Sequence, residues 1–62
     1  MKVHFETFRD NALCANTEEA ESLKRAAEIY RNLRGAGYVV IPYDEQGREY
    51  WMNEQGELVL KP

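Results

Sequence analysis

The chain has almost none of the residue types that carry out chemistry. In 62 residues it holds one cysteine (Cys14), one histidine (His4) and one serine (Ser22). A lone cysteine excludes an internal disulfide, and one Cys with one His cannot supply the three or four ligands of a zinc site. Its acidic turns lack the ligand spacing of a calcium loop. The longest apolar run, Tyr38 to Tyr43, is far short of the ~20 residues that cross a bilayer. Nothing at the N-terminus has the basic, apolar, small-residue order of a signal peptide, so a soluble protein of the reducing cytoplasm is expected. Gly35-Ala36-Gly37 has the spacing of part of a dinucleotide-binding loop. That loop opens a helix after a strand, and here the order is reversed, so a helix stop and a tight turn explain both glycines. No cofactor is expected.

The length gives one domain, residues 1–62, near the lower limit at which burial alone stabilises a chain. Such a chain gains from a partner or from a second copy of itself. The net charge of −3 is ordinary, but it is unevenly distributed. Lys24, Arg25, Arg31 and Arg34 against Glu28 leave +3 on one segment; Asp44, Glu45, Glu49, Glu54 and Glu57 against Arg48 leave −4 on the next. That polarity suits a protein partner of complementary charge better than a phosphate backbone.

Two near-identical tetrads, Asp44-Glu45-Gln46-Gly47 and Asn53-Glu54-Gln55-Gly56, organise the C-terminal half. Each reads as a three-residue hairpin loop closed by a glycine with φ > 0. Asp44 then faces Arg48, Asn53 faces Glu57, and three antiparallel strands follow. Because side chains alternate, one face carries Val40, Met52, Leu58, then Pro42, Tyr50, Leu60, with Tyr38 at the margin. The other carries Val39, Asn53, Glu57, then Ile41, Trp51, Val59, then Tyr43, Glu49, Lys61. The first is a bed for a helix. The second has an apolar centre and a polar border. Pro42, lacking an N–H, places its strand at a sheet edge or leaves its end unpaired.

Residues 2–8 alternate as a strand, with Val3, Phe5 and Thr7 on one side and His4, Glu6 and Phe8 on the other. Asp10-Asn11 is a two-residue turn that sets Phe8 opposite Leu13 and Thr7 opposite Cys14. Residues 12–15 are either a second strand or an irregular lead into a helix. The helix starts at a cap on Asn16 or Thr17, with Glu18, Glu19 and Glu21 at its positive end, Arg31 and Arg34 at its negative end, and Gly35 as its stop. Ala20, Leu23, Ala26, Ala27, Tyr30 and Leu33 form its buried stripe, with Ile29 at the edge. Glu21 and Arg25 fall one turn apart. The expected core is Leu23, Ala27, Tyr30, Val40, Met52, Leu58 and Leu60. The expected fold class is α+β: a four- or five-stranded, largely antiparallel sheet with one helix on a face, in the order strand, optional strand, helix, strand, strand, strand.

No convergent catalytic set emerges, and no enzyme activity is expected. His4 and Cys14 point to opposite faces of the first hairpin, which defeats a nucleophile–base contact. Glu49 and Glu57 share a face, but Lys61 opposite Glu49 makes an exposed ion pair the simpler meaning. Tyr43 and Trp51 could stack nucleic-acid bases while Lys24, Arg25 and Arg31 hold phosphates. However, those cations lie across the helix, away from Trp51, and Glu49 and Glu57 border the aromatics. The stronger reading is a protein-binding surface: Trp51 as anchor, flanked by Ile41, Tyr43 and Val59, with Glu49, Glu57, Asn53 and Lys61 at the rim. Alternatively, the first hairpin folds over this face or a second copy buries it. In size and element plan the chain resembles small proteins carried by phages and plasmids, among them anti-CRISPR inhibitors of bacterial defence complexes. That resemblance implies a non-enzymatic inhibitor or adaptor whose partner is another protein; a nucleic-acid-binding module and a homodimeric structural subunit are the alternatives.

Overall fold

Strand β1 (Val3–Arg9) is the spine of the sheet, and it is bordered on both sides. The computed structural model describes residues 1–14 and 18–62. One edge of β1 pairs with β2 (Ala12–Cys14) at one end and β3 (Glu19–Ala20) at the other; its second edge pairs along its length with β4 (Val39–Asp44). All of these pairings are antiparallel. Helix α1 (Leu23–Gly35) separates β3 from β4, and the hairpin β5 (Tyr50–Met52) and β6 (Leu58–Leu60) completes the chain. The class is α+β, with one helix packed on an antiparallel sheet. The optional strand at residues 12–14 is present, and Glu19–Ala20 add a sixth that the sequence does not suggest; the strands divide into a four-stranded sheet and a two-stranded one.

Both hairpin tetrads act as their composition dictates. The Asp44 N–H donates to Arg48 O and the Asn53 N–H to Glu57 O, while Gly47 and Gly56 hold φ of 79° and 78°. Their side-chain oxygens cap the loops: Asp44 accepts from the N–H groups of Gln46 and Arg48, and Asn53 from those of Gln55 and Glu57. The observed pairs are Met52 with Leu58, Trp51 with Val59 and Tyr50 with Leu60, the register counted from the turns. A Cβ at Gly47 would meet no atom within 4 Å, so Gly47→Ala should lower stability by conformational strain alone, roughly 1–2 kcal/mol. Urea midpoints check this, and an unchanged midpoint contradicts it. Asp10 and Asn11, with φ of 54° and 63°, form the two-residue turn that sets Phe8 opposite Leu13 and Thr7 opposite Cys14.

Pro42 fits the expectation of an edge or an unpaired end: β4 forms a ladder only with β1, and its other side is unpaired at Pro42. Pro42 is nonetheless fully buried in β4, which lies between β1 and β5. Its missing N–H falls on the side of β4 facing β5, two residues from the bonded pair Asp44–Arg48. Beyond that turn only the Tyr43–Glu49 bridge links β4 to β5, and the two sheets are otherwise separate ladders.

The helix begins later than the sequence suggests. Ser22 caps it, its hydroxyl accepting the Arg25 N–H at 3.2 Å, and no acidic residue occupies the first turn. Glu19 and Ala20 are instead strand residues opposite His4 and Val3, so Glu21 precedes the helix and Arg25 pairs with Glu28. The proposed caps Asn16 and Thr17 lie outside the described residues. Gly35 is the last helical residue, and it is Gly37, at φ 95°, that turns the chain. The Arg9 guanidinium closes this end, donating to Ala36 O at 2.7 Å and lying 4.7 Å from the Tyr38 ring centre.

The helix packs on one face of the sheet against β3, β4 and β6. Beneath it lies the core: Val3, Phe5, Ala20, Ala26, Ala27, Ile29, Val40, Tyr50 and Leu58, with Leu23, Tyr30, Leu33, Tyr38 and Met52 partly buried against it. Two expectations change here. Ile29 is central instead of marginal, and Leu60 is 46 % exposed although it lies on the inner face. Leu60 sits on the edge strand, so no further strand shields it.

Candidate protein-binding face

The opposite face of the sheet is uncovered among the described residues. The first hairpin extends the sheet sideways, since Phe8 pairs with both Leu13 of β2 and Val39 of β4. It does not fold over the face. Alternation then assigns Leu13, Phe8, Val39, Ile41, Tyr43, Trp51 and Val59 to one side. Counting from the Tyr43–Glu49 bridge sets Ile41 opposite Trp51, which pairs with Val59.

An apolar band therefore runs across both sheets from β2 to β6. Leu13 is 64 % exposed, Val39 61 % and Trp51 50 %. Phe8, Ile41, Tyr43 and Val59 are half-buried between them. Glu49 and Glu57 are exposed at the border, and Lys61 pairs with Glu49 at 3.3 Å, as the register requires. At the far end His4 stacks on Tyr43 with ring centres 5.6 Å apart and meets Glu19 at 3.0 Å. Glu6 lies between His4 and Phe8 on the same side, beside Ile41, its cross-strand partner. Five of the seven apolar members come from β4 to β6, where local turns reveal the register. Phe8 and Leu13 join only through the long-range pairing of β1 with β4.

Lys24, Arg25 and Arg31 occupy α1, on the other side of the sheet. Arg25 is paired with Glu28, and Arg31 donates to Gly56 O at 3.0 Å. The aromatics and the helix cations thus do not share a surface. His4 and Cys14 are also separated, His4 on the outer face and Cys14 aligned with buried Thr7. Among the described residues no group of three or more His, Cys, Asp or Glu could hold a metal ion. No helix of the described chain is long and apolar enough to cross a membrane.

The buried carboxylate Asp44 anchors the turn that carries Tyr43 and Glu49. Burial alone would raise its pKa. The hydrogen bonds from the Arg48 N–H, the Arg48 guanidinium, the Tyr50 hydroxyl and the Gln46 N–H outweigh this and hold it below its ordinary 3.8. Burial, then the bond to Asp44, raises the Tyr50 phenol above 10.0. A lowered carboxylate stabilises the fold above its unfolded pKa, and that contribution is lost as pH falls through the folded value. A raised phenol stabilises below its unfolded pKa and loses this as pH rises through the folded value. Stability should therefore fall below pH 3.8 and above pH 10.0. In urea titrations at several pH values, Asp44→Asn should remove much of the acid limb; an unchanged acid limb would contradict that assignment.

Comparison of the chain with family models, with characterised proteins and with solved structures gives no match.

Proposed function

We propose that this chain is a small non-enzymatic protein-binding module, an inhibitor or adaptor, that engages another protein through its outer sheet face with Trp51 as anchor. The observation that carries the reading is the continuous apolar band from Leu13 to Val59, half-exposed at Trp51 and bordered by Glu49, Glu57 and Lys61. Fully exposed aromatic surface is costly in water, and a polar rim around an aromatic centre is the composition of protein interfaces. The finer form of this reading, taken from the chain's size and plan, is a phage- or plasmid-borne inhibitor of the anti-CRISPR kind. Nucleic-acid binding fits the surface less well, because Glu6, Glu49 and Glu57 adjoin the aromatics and the helix cations are on the opposite side.

The test compares surfaces. Immobilised chain should retain one protein from an extract of its source cell, and Trp51→Ala should abolish retention while Lys24→Ala preserves it. Retention lost only with Lys24→Ala, together with single-strand oligonucleotide binding that falls steeply with salt, would overturn the reading.

A further inference from the structure

The outer edge of β6 is complementary to itself. The bonds Asn53 N–H to Glu57 O and Lys61 N–H to Glu49 O show which β6 residues turn their backbone toward β5. In an antiparallel pair this alternates, so Glu57, Val59 and Lys61 face β5 while the N–H and C=O groups of Leu58 and Leu60 point away from it. Among the described residues nothing pairs with those groups. An open edge of this kind is a template for another strand.

The side chains specify which strand. From Glu57 to Lys61 the order is Glu-Leu-Val-Leu-Lys, symmetric about Val59 except that its ends carry opposite charge. Two copies paired antiparallel about Val59 set Leu58 of each against Leu60 of the other, and these are the residues whose backbone groups are free. The same register sets Glu57 of each copy opposite Lys61 of the other. We propose that the chain forms a two-fold dimer by pairing β6 with β6 about Val59, which joins the two copies' sheets edge to edge.

Two further observations fit this occupant. Leu60 is an inner-face residue left 46 % exposed, and it is the side chain that pairing would carry toward the neighbouring copy's helix. The receiving space exists: a groove of about 500 Å³ lies between α1 and β6, with Leu23, Ala27 and Leu58 among its walls. Charge fits as well. Lys61 already contacts Glu49 on its own chain, and in the dimer it lies between Glu49 and Glu57 of the second copy. Like charges in these places would have protected the edge from self-pairing; opposite charges favour it. The contact is isologous, as a closed dimer requires. It leaves the outer face open and places the two apolar bands side by side, so it is independent of the proposed external partner.

The experiment is a charge exchange read by sedimentation equilibrium, with circular dichroism as the control for folding. The wild-type chain should dimerise at concentrations up to about 1 mM. Glu57→Lys alone and Lys61→Glu alone each set like charges across both symmetry-related pairs and should weaken the dimer roughly tenfold or more. An equal mixture of the two folded variants restores opposite charges at every pair and should recover dimers, which are then mixed. A wild-type chain that stays monomeric, a dimer indifferent to both variants, or a mixture no better than its components would each overturn the proposal. Trp51→Ala should leave the dimer in place, so failure of external binding and failure of self-association are separately visible.

Discussion

Phe5→Ala is expected to cost about 3–5 kcal/mol, a large share of the protein's stability, whereas Phe8→Ala three residues later should cost about 1 kcal/mol. The two phenylalanines share a strand and differ in the face they serve. Phe5 is 4 % exposed, opposite Pro42 and under the helix, while Phe8 is half-buried on the open side between Leu13 and Val39. At roughly 0.05–0.15 kcal/mol per residue, a chain of 62 residues has only about 3–9 kcal/mol in all, so one large core side chain is a third or more of it. Urea unfolding followed by circular dichroism measures both. A Phe8 variant as damaged as the Phe5 variant would show that the open face is not open.

Trp51→Ala should have the reverse profile: a loss of roughly 2 kcal/mol or more in partner affinity with little change in the urea midpoint. The large aromatic in the middle of a half-exposed band offers the most area to bury on docking, and its pairing with Val59 fixes its position. In the free chain its removal opens no cavity, because half of its surface is already in water. A midpoint that drops as far as that of Phe5→Ala would identify Trp51 as a core residue and remove the basis for the binding face.

The parts of this fold legible in the sequence are those written by local chemistry. Asp44-Glu45-Gln46-Gly47, Asn53-Glu54-Gln55-Gly56 and Asp10-Asn11 each specify a turn from adjacent residues, and each turn fixes a register by counting. The pairing of β1 with β4 is different. It joins Val3 to Asp44 and Phe8 to Val39 across the whole helix, and no short motif encodes it. Phe8 and Leu13 were therefore not recognisable as members of the band. The helix start is obscured for a related reason. Glu18, Glu19 and Glu21 suit a helix N-terminus, but Ala20 gains more by burial opposite Val3 and Glu19 by meeting His4, so the chain stays extended until Ser22. Leu60 has the right parity for the core but the wrong strand. Alternation predicts the face a residue takes, not whether another strand lies beyond it.

The claim that the outer sheet face is the working surface is tested most directly by site-specific photo-crosslinking in extract of the source cell. A photoreactive amino acid placed at Tyr43 or at Val39, with the Trp51 anchor kept, should give one discrete adduct with another protein, and the same group at Lys24, on the helix, should give none. An adduct from Lys24 with none from Tyr43 or Val39 would contradict the claim and move the binding surface to the other side of the sheet.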